Sequence, residues 1–282
     1  MILLVGAGGF LGRRMTLALP KFGQDGLRAS HGNDADLRID LSHPISTLEL
    51  PNSVSHGVIL SSITSIDACF QDPERTTAFN VTHTVQLIEH LIAQDITPVF
   101  VSSDVVFDGV RGDYREDETP APTTRYGEQK RGVETFLEQN APRHLIVRLG
   151  KLYTLAKDDT SPVSGLVRSL GRGDSVQAAT DQYLTPTLAE EVADGILKLI
   201  ALDAQGVFHL TPTENGALTR YEMALTVAKA IGAAPELVRP CSIHDFDFPE
   251  ARPTNSTLNG EKFQAVSGVR LTPFSEAAKD LT

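Results

Sequence analysis

The chain has 282 residues, 41% hydrophobic and 22% charged, which is too apolar for a disordered chain and long enough to bury a sizeable core. Lys and Arg number 25 against 36 Asp and Glu, and the net charge of −11 argues against a general affinity for nucleic-acid phosphates or anionic membranes. No apolar run approaches the ~20 residues that a membrane helix needs.

The N-terminus starts on a short apolar run that ends in glycines, which predicts a strand over Ile2–Val5 and not an export signal. Cys69 and Cys241 stand far apart without metal-ligand spacing, so two reduced thiols and a cytoplasmic location are expected. Gly6-Ala7-Gly8-Gly9-Phe10-Leu11-Gly12 follows the strand at once and opens a helical pattern. Gly6, Gly9 and Gly12 at this spacing permit a tight turn, a close backbone approach to a pyrophosphate and close packing of helix on sheet. The helix start then offers N–H groups and partial positive charge to the phosphates, with Phe10 and Leu11 at that end.

The next strand should carry the group that reads the adenosine ribose. The run Leu27–Gly32 has no acid at its end, while Arg13, Arg14, Ser30 and His31 suit a 2′-phosphate. The expected cofactor is therefore NADP(H) in preference to NAD(H), with Asp40 and Leu41 bordering the adenine. Further strands are predicted at Val58–Ser61, Pro98–Ser102 and His144–Leu149, with Ser61 and Ser62 completing the cofactor set. Between them lie helical stretches. In Pro73–Gln94, residues Val81, Val85, Ile88 and Ile92 form one apolar stripe, and Val133, Phe136 and Leu137 do so in Arg125–Gln139.

Strands alternating with helices predict an α/β fold with a doubly wound parallel (Rossmann) sheet and right-handed crossovers. Beyond Leu149 the pattern predicts a loop over Thr154–Pro162, a helix over Ala189–Ala201, a strand over Val207–Leu210 and a helix over Tyr221–Ile231. The expected organisation is a dinucleotide-binding domain over residues 1–150 and a smaller C-terminal α/β substrate-binding region over 151–282. The helix at 189–201 is free to fold back onto the sheet. Glu116-Asp117-Glu118 reads as a solvated loop and Asp108-Gly109 as a turn.

Tyr126 and Lys130 stand four apart on one face of a predicted helix. A tyrosine titrates near ~10, and a neighbouring ammonium draws that value down towards the range of a working general acid. The buried run Val99–Ser102 delivers Ser103 and Asp104 to the carboxyl end of a strand, where ligands bind in open α/β sheets.

The glycine turn, the element Ser102-Ser103-Asp104-Val105-Val106-Phe107-Asp108-Gly109 and the Tyr126–Lys130 pair resemble the extended short-chain dehydrogenase/reductase superfamily. Within it the chain is similar to the dTDP-4-dehydrorhamnose reductase family. Asp181–Thr187, Phe208–Leu210, Arg252–Leu258 and the segment of Thr64 and Asp67 extend the likeness over nearly the whole chain. The resemblance implies a catalytic set of Ser103, Tyr126 and Lys130, with Tyr126 as proton donor, Lys130 holding the nicotinamide ribose and Ser103 orienting the carbonyl. It implies substrate contacts from Thr64, Asp104, Tyr183 and Arg252, a nucleotide-sugar substrate of the kind met in dTDP-rhamnose biosynthesis, and a homodimer. Three positions depart from the family: Lys151 stands where an aromatic residue is usual, Val105 replaces a tyrosine, and Thr154–Pro162 lacks the usual glycine/asparagine-rich form. Arg13 and Arg14 occupy a region where some relatives carry an acid for a metal, so no metal is expected. Two other readings stay open: an epimerase or dehydratase with retained NAD, and a non-catalytic NADP-binding regulator similar to the regulatory subunit of methionine adenosyltransferase.

Overall fold

A computed structural model describes residues 1–32, 35–45, 47–156, 161–214 and 216–281. The first strand, β1 (Ile2–Val5), has four apolar side chains, all buried, as a central strand covered on both faces requires. After the glycine turn, α1 (Phe10–Ala18) returns the chain to β2 (Gly26–Ser30) and the short β3 (Leu37–Arg38). The chain then crosses to β4 (His56–Ile59), followed by α2 (Ile66–Gln71), α3 (Pro73–Thr77), a π-helical turn over Ala78–His83 and α4 (Thr84–Ala93). Next come β5 (Thr97–Ser103), α5 (Arg125–Asn140) and β6 (Leu145–Leu149).

The second half adds β7 (Leu152–Tyr153), α6 (Pro162–Gly171), β8 (Val176–Ala179), β9 (Tyr183–Leu184), β10 (Thr187–Leu188), α7 (Ala189–Ala201) and β11 (Gly206–His209). It closes with β12 (Leu218–Thr219), α8 (Arg220–Ala230), β13 (Val238–Cys241), α9 (Glu261–Ser267) and α10 (Phe274–Ala277). Of the expected loop at Thr154–Pro162, residues 157–160 lie outside the described residues, and Pro162 is already the first residue of α6.

Seven strands form one parallel sheet in the order β11-β6-β5-β4-β1-β2-β3. The order reverses between β1 and β4, and this reversal opens a crevice at the carboxyl ends of the strands. One face of the sheet is covered by α1 and α7, with Met15, Val192, Ile196 and Leu197 buried against Ile2 and Val99. The other face is covered by α4 and α5 through Leu87, Leu91, Val133 and Leu137. Each of these side chains contributes about 1.5–3 kcal/mol by leaving water. A separate apolar cluster joins α6, α8 and α10 to the β8–β13 pair. No helix among the described residues is long and apolar enough to cross a membrane.

The apolar stripe expected in 73–94 packs on the core, with Ile88 buried and Val81, Val85 and Ile92 partly buried against the same cluster, which Leu87 and Leu91 widen. A π turn over Ala78–His83 interrupts the helix ahead of α4. The same turn brings Asn80 inward, at 3% exposure. A second anchor ties α5 to β6: Arg148, 1% exposed, grips the fully buried Glu134 through two hydrogen bonds of 2.9 Å. Glu116 departs from the solvated reading, since it is half-buried and accepts a hydrogen bond from the His209 amide at 2.9 Å.

Candidate active site

The glycine turn sits at the switch point. Gly6 adopts φ +93°, and a Cβ there would lie 2.6 Å from the Ser61 hydroxyl, so only glycine lets the β1 and β4 loops approach this closely. Gly9 caps α1 with extended backbone and no side-chain acceptor, which leaves the first N–H groups of the helix facing the crevice. Gly12 lies beneath, packed on the Gly6 carbonyl and Ala7.

Above the switch point lies a cleft of about 1240 Å³. Gly6, Gly9, Phe10 and Leu11 line it from the turn, and Ser30, His31, Asp40 and Leu41 from the β2 side. Ser61, Ser62 and Thr64 line it from β4, and Ser103, Asp104 and Tyr126 from the centre. Arg252 lines the far wall, where the structure also places Lys151, Gln182, Arg220 and Ser256. Arg13 stands outside the main cleft, beside Arg28 and Ser30 on a smaller hollow of about 330 Å³. Arg14 turns away from the cleft altogether. It is 8% exposed and bonds Glu190 at 2.9 Å, and Thr154 donates to the same carboxylate at 2.7 Å.

Tyr183 stands apart from the other expected substrate contacts. It is 43% exposed and does not line the cleft, whereas its neighbours Gln182 and Leu184 do. Successive side chains of a strand point to opposite faces, so a cleft-facing Gln182 and Leu184 turn Tyr183 outward.

α5 starts at the cap of Thr124, which accepts from the Gly127 amide at 3.1 Å, and so fixes Tyr126 in the first turn. Tyr126 is 7% exposed and packs with Cys69 and Val105. The expectation that the ammonium draws its phenol down is not met in this structure. Burial pushes the phenol well above its ordinary range, and the Asp104 carboxylate pushes the same way, while hydrogen bonding to the Ser62 and Ser103 hydroxyls opposes them. The Lys130 ammonium donates to the Val101 carbonyl at 2.9 Å and stands 5.7 Å from the centre of the Tyr126 ring. Burial lowers Lys130 to about 7, against the opposing pull of Glu134.

Ser103 donates its only proton to Asp104 at 2.9 Å, and Ser256 donates to the other oxygen of the same carboxylate at 2.6 Å. Burial raises Asp104 despite these two bonds. A carbonyl bound here must therefore compete with Asp104 for the Ser103 hydroxyl.

Asn80, which carried no functional signal in the sequence, organises the β4 loop. Its Oδ1 accepts from the Ile63 amide at 2.8 Å and from Ser62 at 3.1 Å, and its Nδ2 donates to Ile63 O and to Gln129. Gln129 in turn donates to Thr76 at 3.0 Å, joining α3 to the helix of Tyr126. A lone Asn followed by Val and Thr gives no hint of this, because the π turn that points it inward has no periodic signature.

The sequence profile described as RmlD substrate binding domain matches residues 1–282. A probable low-salt glycan biosynthesis reductase of Haloferax volcanii is 30% identical over 268 residues, covering 91% of this chain and 88% of that protein. The dTDP-4-dehydrorhamnose reductase of Escherichia coli is 28% identical over 277 residues, covering 93% and 90%. The crystal structure of dTDP-4-dehydrorhamnose reductase from Bacillus anthracis in complex with NADP superposes with a TM-score of 0.86 at 21% identity, over 99% of this chain and 97% of that one, and shows the common fold. With the profile spanning every residue and the fold matched from end to end, the chain belongs to the RmlD substrate binding domain family of extended short-chain dehydrogenases/reductases.

Proposed function

We propose that this protein is a nicotinamide-dependent reductase of a keto group on a nucleotide-activated deoxysugar, of the dTDP-4-dehydrorhamnose reductase type. The observation that carries the reading is one cleft that brings together a bare helix N-terminus, a buried phenol beside a strand-end serine, and a cationic far wall. The relatives named as reductases, and the NADP complex of the Bacillus anthracis protein, support it.

The residues present fit a dinucleotide. The amides after Gly9 suit the pyrophosphate, and the close approach of Gly6 to Ser61 leaves the turn open towards the crevice. NADP(H) is favoured over NAD(H), because Arg13 and Ser30 share the hollow at the adenosine end with Arg28, which Asp36 holds in a two-point ion pair, and no acid lies within β2. Residues 1–150 supply the cofactor wall and 151–282 most of the substrate wall.

The cofactor, when bound, supplies the hydride. Tyr126 delivers the proton to the developing alkoxide oxygen. Burial keeps that proton on the phenol until an acceptor appears. Ser103, once its hydroxyl rotates from Asp104, donates to the same oxygen and orients it. Lys130, four residues along the helix from Tyr126, holds the ribose and stabilises the phenolate left after the transfer. The direct test is NADPH consumption across a panel of nucleotide-linked 4-keto sugars. Consumption with one of them supports the assignment, and none with any of them, from protein that binds NADPH, refutes it.

A further inference from the structure

Three cations face the cleft on its far wall: Lys151, Arg220 and Arg252. Two of them are held by neighbours. Arg252 pairs with Asp67 at 2.6 Å and lies 4.5 Å over the Phe248 ring, and the Arg220 guanidinium donates to the Gln182 carboxamide. Planar guanidinium groups braced in this way suit the diphosphate that a nucleotide sugar carries.

Lys151 differs from both. Its side chain makes no ion pair or hydrogen bond among the described residues, although it is open to the cleft. Its backbone is fixed: the Thr187 amide donates to its carbonyl at 2.9 Å, and Gly150 before it is pressed on Thr185, where a Cβ would come within 2.6 Å of the carbonyl oxygen. It follows β6 directly, beside the β5 end that carries Ser103 and Asp104, and its ammonium is the cation that lowers Asp104. Asp104 already accepts from Ser103 and Ser256. Lys151 thus stands at the reacting end of the cleft as a positive charge with no directly bonded anion, crowded by two like charges. Its ammonium is exposed to the cleft with no protein anion bonded to it, so it is available to a negative group on a ligand bound there.

We propose that the sugar taken by this protein carries an anionic substituent, a carboxylate in the simplest hexose, and that Lys151 is the residue that selects it. The inference rests on the nucleotide-sugar reading above and departs from its deoxysugar, because the carboxylate takes the place of the deoxysugar's methyl. The diphosphate leaves from the anomeric carbon and is separated from the keto carbon by the ring, so an anion at the reacting end belongs to the sugar.

The test is calorimetric binding to the full chain saturated with NADP⁺, with three probes: UDP-glucuronate, UDP-glucose and UDP, and the same set on dTDP. The expected result is that the acidic sugar binds about tenfold or more tightly than its neutral counterpart, the scale of one charge-assisted hydrogen bond. Lys151→Met brings that ratio to about one, and Lys151→Arg retains it. A wild-type ratio near one overturns the inference. So does a Lys151→Met variant that weakens both sugars and the free nucleotide alike, because the ammonium then serves the diphosphate. If no probe binds at all, the nucleotide-sugar reading falls, and this inference with it.

Discussion

Replacing Tyr126 by Phe removes one oxygen from the centre of the cleft and nothing else. The ring keeps its packing on Cys69 and Val105, so the core beneath the site is unchanged. The hydroxyl faces the cleft near Ser62 and Ser103, whose own protons go to Asn80 and Asp104, so its removal breaks neither of those bonds. Removal of a general acid lowers turnover by about a hundred- to ten-thousandfold, or ~3–5 kcal/mol of barrier at 1.36 kcal/mol per decade. Because burial holds the phenol protonated across the working range, wild-type reduction does not depend on prior loss of that proton, and no change of pH restores the variant. NADPH oxidation measures the rate, and calorimetric titration with NADPH measures cofactor affinity. Turnover within about tenfold of wild type, or a loss of cofactor binding that matches the loss of rate, would refute the assignment of Tyr126 as proton donor.

Three further outcomes follow from the geometry. Burial holds Lys130 near 7, so at pH 8 it is largely neutral in the free protein and becomes charged when it donates to the hydroxyls of the cofactor ribose. Calorimetry in buffers of differing ionisation enthalpy should show proton uptake on NADPH binding at pH 8, little at pH 6 and none in Lys130→Met, and equal uptake at both pH values contradicts the reasoning. Glu134→Gln leaves the Arg148 guanidinium charged and buried, and urea unfolding should show a loss of about 3–5 kcal/mol, with a loss below ~1 kcal/mol counting against the pair as an anchor. Asn80→Ala leaves the Ile63 amide, the Ile63 carbonyl and Gln129 without their partner, which should cost about 2–4 kcal/mol and raise the KM for cofactor more than it lowers kcat. An unchanged melting curve with unchanged KM would remove Asn80 from the positioning of the β4 loop.

The centre of the sheet was legible because β1, β4, β5 and β6 each carry a short, mainly apolar run, and because the helix of Ala189–Ala201 carries an apolar face. What the sequence did not convey has a local cause in each case. The helix over 73–94 contains a π turn, which has no signature in the hydrophobic period, so the inward position of Asn80 within it was not visible. Glu116 reads as solvated in an acidic run, yet the fold folds it back onto the His209 amide. Tyr183 stands in a stretch that resembles a substrate segment, but two-residue alternation decides which of its members faces inward, and nothing in the sequence fixes that phase.

The two ends of the cleft differ in how they are encoded, and this explains the unequal yield. The cofactor end is built from backbone: a glycine turn, a helix start and the end of β4, most of it within one run of a dozen residues. Chemistry made from contiguous backbone is written as spacing and can be read as spacing. The far end is built from side chains of separate segments, Asp104 after β5, Lys151 after β6, Arg220 at the start of α8 and Arg252 in the tail, each an ordinary residue in its own context. Their charges acquire meaning only when the fold faces them across one cavity. The imbalance they create, Lys151 and Arg220 against a carboxylate already bonded by two serines while Arg252 is paired with Asp67, is a property of the assembled wall and of no segment within it.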